Sequence, residues 1–257
     1  MSKSDALKGE LWFSVFNGAI TTHLITDPVL NIFPASSATA SSSSSNLAFA
    51  LKVTFTRSLW PFEPLSFLPP LHFHPHQSEY VRVLQGVLCV EIEGQLHSLF
   101  PGSGSPGSDS NTDAIEIQPW EAHRLYPPAD FGGSEEIVFL LAGTDRECLG
   151  DCDTACRLDA MFFENWYAYQ EDVWRRGTAL STVQVMTMFD AGGSYLACVP
   201  SWVPFSKTCA LALGIVVGRW VGGIIGYQPY CREWTSDWDG ACRRMRRYIW
   251  WRRFATQ

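Results

Sequence analysis

The sequence predicts a mainly β fold, a sandwich or barrel of the jelly-roll kind over residues 47 to 145, followed by a helical C-terminal extension. Two observations carry this. Short segments with a two-residue apolar period follow one another between Gly- and Pro-containing turns. After Thr144 that period gives way to aromatic and apolar residues at near-helical spacing. Composition adds a bound: 257 residues, 46% hydrophobic and 18% charged, can bury one sizeable core plus an extension, which excludes disorder as the default.

Residues 1–46 form an N-terminal segment whose Ser-rich stretch, Pro34 to Ser45, is low-complexity and reads as a loop. Leu47, Phe49, Leu51, Val53 and Phe55 then alternate with smaller or more polar neighbours, the signature of a strand with one buried face. Tyr80 to Leu84 and Val87 to Glu93 predict two strands joined at Gln85-Gly86, where glycine supplies the positive φ of a tight turn. Gly94-Gln95 predicts a second turn and Leu96 to Phe100 the next strand. Pro101 to Asp113 is too rich in Gly and Ser to pack and reads as an exposed insertion, since alternation resumes at Ala114 to Ile117 and again at Glu136 to Leu141.

Residues 146–257 form the extension. Met161, Phe162, Trp166, Tyr169 and Val173 predict a helix from Leu158 to Arg176, closed by Gly177. Residues 209–227 are apolar except for Arg219, and Gly214, Gly218, Gly222 and Gly226 recur on one helical face, a stripe that lets a second helix approach closely. The length just suffices to cross a bilayer, but a central arginine costs about 2.5 to 3.5 kcal/mol there. The tail from Arg243 to Arg253 mixes arginines with Trp and Tyr, which suits an anionic membrane surface as well as a solvated basic helix. Membrane association through 209–253 is therefore one expectation and a soluble helix pair the other.

The net charge of −7 argues against general nucleic-acid binding. It conceals nine Lys/Arg against three Asp/Glu from Lys207 onward, with ten against twenty-three before it. The polar start, Met1 to Glu10, lacks an apolar signal-peptide core, so the expected location is intracellular, cytoplasmic or peripherally membrane-bound, and not secreted. In a reducing compartment the eight cysteines are expected as thiols. Cys148, Cys152 and Cys156 recur every four residues without a second CxxC pair, a poor match to a structural metal site.

The chemistry concentrates in His72-Phe73-His74-Pro75-His76-Gln77-Ser78-Glu79. Residues two apart on a strand share a face, so His72 and His74 can project together, Glu79 can return a carboxylate after Pro75, and His123 can add a third imidazole from a later strand. Imidazoles with one carboxylate suit a divalent transition metal, with iron preferred over manganese, nickel, copper or zinc, and leave two positions of a six-coordinate ion open. His76 is the candidate acid or base. Phe73, Tyr80, Trp120 and Tyr126 are candidate apolar walls for a substrate, whereas His23 and His97 read as structural.

The run HxHxxxxExxxxxxG, made by His72, His74, Glu79 and Gly86, resembles the first motif of the cupin superfamily. Pro119-Trp120-Glu121-Ala122-His123 resembles the second, with Trp120 where glycine is usual. The resemblance implies a single cupin barrel with the four ligands above, and an association of two copies through sheet edges. Pro69-Pro70-Leu71, Phe163 to Tyr167 and Gly226 to Pro229 further resemble fungal cupin-domain proteins of polyketide, salicylaldehyde-type gene clusters, which are described as oxidoreductases. That resemblance implies a metal-dependent tailoring enzyme acting on a small polyketide-like molecule. The same site could serve a redox-neutral isomerase, dehydratase or cyclase, or a non-enzymatic ligand-binding or scaffold cupin.

Overall fold

The computed structural model describes residues 9–25, 47–61, 68–102, 113–144 and 158–256. The Ser-rich stretch, most of the Pro101 to Asp113 insertion and the Cys148, Cys152, Cys156 series lie outside the described residues. The chain divides into two compact units, Met1–Pro69 with Gln77–Arg146, and Pro70–His76 with Glu147–Gln257.

The first unit is antiparallel β. One sheet has the order β1 (Glu10–Val15), β2 (Ile20–Leu24), β3 (Leu47–Thr56), β10 (Glu136–Thr144), β5 (Glu79–Gln85), β8 (Ala114–Ile117). A second sheet places β9 (His123–Tyr126) beside β6 (Leu88–Ile92) and β6 beside β7 (Gln95–Leu99). The predicted alternation in β3 is realised, with Phe49, Leu51, Val53 and Phe55 all buried. β10 is buried almost end to end because it sits between β3 and β5, so its continuous apolar run reads as a central strand.

The turns follow from backbone chemistry. Glu93 and Gly94, both at positive φ (50° and 78°), join β6 to β7 as a two-residue hairpin with Ile92 paired to Gln95. Gly86 has φ 78°, and a Cβ there would lie 2.8 Å from the Glu136 carbonyl oxygen, so both conformation and space require glycine. The β1–β2 hairpin extends the first sheet ahead of β3, where the sequence reading assigned no strand.

The second unit is mainly helical. β4 (His72–Phe73) pairs antiparallel with β11 (Tyr195–Leu196). α1 (Ala160–Arg175) starts at Asp159, whose carboxylate accepts from the Phe162 N–H at 3.0 Å, and ends at Gly177 with φ 63°. Its Phe162 and Trp166 meet Phe189 of α2 (Thr182–Ala191) edge to face, centroids 5.4 and 5.0 Å apart. α3 (Ser206–Leu213) continues as a π-helical stretch, Gly214–Gly222, and ends in α4 (Gly223–Ile225). α5 (Trp238–Arg246) packs Ala241, Cys242 and Met245 into a core with Met161, Tyr230, Trp251 and Phe254.

The glycine stripe serves this unit itself. A Cβ at Gly218 would collide with the Met186 carbonyl of α2, and one at Gly214 would lie 2.7 Å from the Tyr195 ring. Gly226 does different work, since its φ of 112° ends the helix and its N–H donates to the Gly222 carbonyl at 3.1 Å. Arg219 turns inward as well. Its Nε and Nη2 donate to Asp190 Oδ2 and Oδ1 at 2.7 and 2.8 Å, and Tyr195 Oη donates to the same carboxylate at 3.1 Å. The helix Ser206–Ile225 is, by length and composition, apolar enough to cross a membrane, and it leaves Leu213, Val216, Trp220, Val221, Ile224 and Ile225 exposed. The cysteines among the described residues, Cys89, Cys198, Cys209, Cys231 and Cys242, are free thiols.

Candidate metal centre

The HxHxxxxE run straddles the division of the chain: His72 and His74 belong to the second unit, Glu79 and His123 to the first. In the second unit the two histidine rings meet edge to face with centroids 5.0 Å apart, and their ligand atoms lie within 4.8 Å of each other. His74 is buried and His72 half-buried. In the first unit His123 Nε2 lies 2.8 Å from Glu79 Oε2, and both side chains are almost wholly withdrawn from solvent.

Each imidazole has its Nδ1 against an oxygen. His72 Nδ1 is 3.0 Å from the Pro70 carbonyl, His123 Nδ1 is 2.8 Å from the Glu121 carbonyl, and His74 Nδ1 is 2.9 Å from Ser194 Oγ. A carbonyl oxygen only accepts, so His72 and His123 must carry their proton on Nδ1. In a neutral imidazole the other nitrogen, Nε2, then keeps its lone pair. The Nε2 of His123 consequently meets the Glu79 carboxylate as one electron-pair donor against another. A contact of 2.8 Å between them requires a shared positive centre, a proton or a metal ion. Histidines oriented through Nδ1 with Nε2 kept basic are the arrangement that metal ligation uses. The donor set therefore fits a divalent transition ion.

The backbone before His123 explains how a motif without its glycine still delivers the ring. The Glu121 N–H donates to the Gln118 carbonyl at 3.1 Å, closing a turn with Pro119 second and Trp120 third. Trp120 has φ 73°, the left-handed value that a type II turn demands at its third position. Trp120 thus adopts the conformation that glycine normally supplies. Glu93 locks the next step, because the Ala122 N–H donates to its Oε1 at 2.6 Å and its own N–H donates to the Ala122 carbonyl at 2.8 Å.

The remaining predicted site residues have the following surroundings. His76 is exposed. Phe73 is fully buried against Tyr195 and Ala210 in the core of the second unit, on the strand face opposite His72. Tyr80 alternates away from Glu79 and donates from Oη to Glu116 Oε1 at 2.9 Å; burial first, and that carboxylate second, push its phenol up to about 12. Tyr126 lies under the Arg124 guanidinium, 5.8 Å from ring centre to Cζ, three residues and hence one strand face from His123. Trp120 is 37% exposed at its turn. Sequence reasoning missed Ser194, which follows a Gly-Gly turn 120 positions from His74 and has no spacing signal to mark it.

No protein-family model matches the chain. "Probable oxidoreductase yanE" of Aspergillus niger is 43% identical over 191 residues, covering 74% of this chain and 67% of that protein. "Oxidoreductase AOL_s00215g277" of Arthrobotrys oligospora is 40% identical over 190 residues, covering 74% and 68%. The chain belongs to this family of fungal oxidoreductases. A further oxidoreductase relative, "Epoxidase atD" of Aspergillus terreus, is 34% identical over 188 residues, and the match spans 53% of its length. Among solved structures, a cupin-2 domain from Rhodospirillum rubrum matches with a TM-score of 0.28 at 15% identity over 53% of this chain and 66% of that one. An RmlC-like cupin from Shewanella frigidimarina matches with a TM-score of 0.30 at 12% identity over 54% and 86%. The chain of this oxidoreductase family has antiparallel sheets and the HxHxxxxExxxxxxG run, and its α-helices follow β10 in sequence.

Proposed function

We propose that the chain is a metal-dependent cupin oxidoreductase that modifies a small polyketide-like molecule. The metal would be held by Nε2 of His72, His74 and His123 and by the Glu79 carboxylate, with iron the first choice. The observation that carries this reading is the common orientation of the histidines, each with Nδ1 against an oxygen. Glu79 follows His74 by only five residues, so a short tether joins the histidine pair to the Glu79–His123 pair. A bound divalent ion supplies a Lewis-acidic centre with open positions for a substrate oxygen. The protein's part is to withdraw the donors from water and to hold the Glu79 and His123 lone pairs on a single point. The oxidoreductase and epoxidase names of the relatives support redox chemistry, and the polyketide substrate class rests on the resemblance described above.

Elemental analysis of the purified full chain tests the reading. Expected is about one equivalent of a transition metal per chain, lost on dialysis against a chelator and lost in Glu79→Gln. Wild-type protein that binds no added Fe(II), Mn(II), Co(II) or Zn(II) overturns it.

A second surface supports a peripheral membrane reading. The exposed apolar face of Ser206–Ile225 adjoins a basic end, where the Arg253 guanidinium donates to the Gly223 and Ile224 carbonyls and Ile249, Trp250 and Arg252 are exposed. Apolar side chains flanked by Trp and Arg are complementary to an anionic lipid surface. Co-sedimentation with phosphatidylserine vesicles, reduced by Ile224→Glu and absent with neutral vesicles, is expected. Equal recovery without vesicles, or concentration-dependent self-association through the same face, overturns this reading.

A further inference from the structure

Ser194 stands where a side chain of the helical unit meets a histidine of the ligand motif. Its N–H donates to the Phe189 carbonyl at 2.9 Å, which ties it to the end of α2. Gly193, at φ 63°, turns the chain immediately before it. The following strand pairs Tyr195 with Phe73 and Leu196 with His72, and the same antiparallel register continued by one residue sets Ser194 opposite His74. Both are deeply buried, Ser194 at 0% and His74 at 2% exposure.

A hydroxyl has one proton to give. Ser194 Oγ has the Gly192 carbonyl at 3.3 Å, an acceptor only, and His74 Nδ1 at 2.9 Å. Donation to Gly192 leaves the Oγ lone pairs to accept the Nδ1 proton, and Nε2 then keeps its own lone pair. Donation to Nδ1 would instead place the imidazole proton on Nε2 and deny that nitrogen to an ion. The two arrangements give His74 opposite abilities as a ligand.

We propose that Ser194 is a positioning residue of the metal centre: its hydroxyl, anchored on the Gly192 carbonyl, accepts the His74 Nδ1 proton and so fixes the ring as the tautomer that offers Nε2. This rests on the metal-centre reading above. The carbonyls that orient His72 and His123 belong to the main chain, so His74 is the ligand histidine whose Nδ1 partner is a replaceable side chain. The helical extension thereby contributes to ligand orientation.

Two measurements on the full chain test it. In metal-free, 15N-histidine-labelled wild type, long-range 15N–1H correlations report the tautomer of His74, assigned by its loss in His74→Gln. The Nδ1–H form is expected, and the Nε2–H form overturns the proposal without recourse to a variant. Zn(II) affinity is then measured by chelator competition for wild type, Ser194→Ala and Ser194→Cys. Loss of a partner that orients a ligand predicts about 10- to 100-fold weaker binding in Ser194→Ala. Partial recovery is expected in Ser194→Cys, whose sulfur is a weak acceptor. A merely structural role lowers the melting temperature of the metal-free protein and leaves Zn(II) affinity per folded molecule unchanged, which overturns the proposal while the metal centre stands. Wild type that fails to bind Zn(II) at all sinks the metal-centre reading itself.

Discussion

Arg219→Ala is the substitution for which the structure gives the sharpest expectation. The Asp190 carboxylate is completely buried on α2 and accepts both bonds of the Arg219 fork together with the Tyr195 hydroxyl. Removing one partner of a buried ion pair strands the other charge, at about 3 to 5 kcal/mol. The Arg219 side chain is 20% exposed and water can replace part of its field, so the lower end, about 3 kcal/mol, is expected. Asp190 is already raised from its ordinary value by burial, which outweighs the opposing pull of Arg219. Without the guanidinium it rises further, and the folded state then binds more protons than the unfolded state. The variant must regain stability relative to wild type as pH falls from its own, higher Asp190 value to that of the wild type, below which both gain equally down to about 3.9, the unfolded aspartate value. Urea unfolding followed by far-UV ellipticity, repeated from neutral to mildly acid pH, measures both quantities. The double change Asp190→Asn with Arg219→Met should recover most of the loss, because it leaves no buried charge. A deficit in Arg219→Ala under about 1 kcal/mol and independent of pH, the behaviour of an exposed pair, refutes the reasoning.

Other changes follow from the same geometry. Gly218→Ala drives a Cβ into the Met186 carbonyl, so a net loss of about 1 to 3 kcal/mol in urea unfolding is expected despite the better helix propensity of alanine. At Trp120, with φ 73°, Trp120→Gly should be more stable than Trp120→Ala by about 1 kcal/mol in thermal unfolding, since only the alanine retains the left-handed penalty. Glu164 is raised by burial, which outweighs the bonds it accepts from Ser236. The folded state therefore holds that proton to higher pH than the unfolded state, and stability falls as pH climbs from about 4.3 through the folded value; Glu164→Gln should lack this fall when both proteins are unfolded in urea across the interval.

What the sequence disclosed depended on how local each cause is. The β3 alternation and the α1 periodicity record which side of one element is buried: Phe49, Leu51, Val53 and Phe55 are buried, as are Met161, Phe162, Trp166 and Tyr169, whereas Leu47 and Val173 at the element ends are half-buried. Gly86 was legible because a tight turn between two strands leaves it no alternative conformation. β1 and β2 escaped notice. They are short, and β2 carries Thr21, Thr22 and His23 in place of a clean apolar alternation, so their pairing with β3 decides their structure more than their own composition does. The glycine stripe was visible but its partner was not. Gly214, Gly218 and Gly222 mark a close approach, yet nothing in their spacing says whether the approaching surface belongs to another membrane helix or, as found, to α2 and Tyr195 of the same chain. Arg219 was misleading for the same reason, because the buried carboxylate that receives it lies 29 positions away.

The candidate metal centre shows the same division between what spacing encodes and what folding adds. A motif of two histidines and a glutamate specifies which donor atoms are available, and chain alternation specifies that they can share a face. Neither specifies a tautomer. That is set by the second nitrogen of each ring, and two of the three oxygens that fix it, on Pro70 and Glu121, are main-chain atoms that any residue at those positions would provide. The departure at Trp120 is tolerable on the same grounds: the turn needs a positive φ and the Gln118–Glu121 hydrogen bond, both of which the tryptophan retains, so His123 Nδ1 still reaches the Glu121 carbonyl. The missing glycine therefore bears on stability at one turn and leaves the His123–Glu121 contact in place. His74 is the exception, since its partner is a side chain brought by β-strand register from the far end of the sequence. On the proposed reading, a replacement at Ser194 leaves every recognisable motif residue in place and removes the orientation by which His74 would act as a ligand.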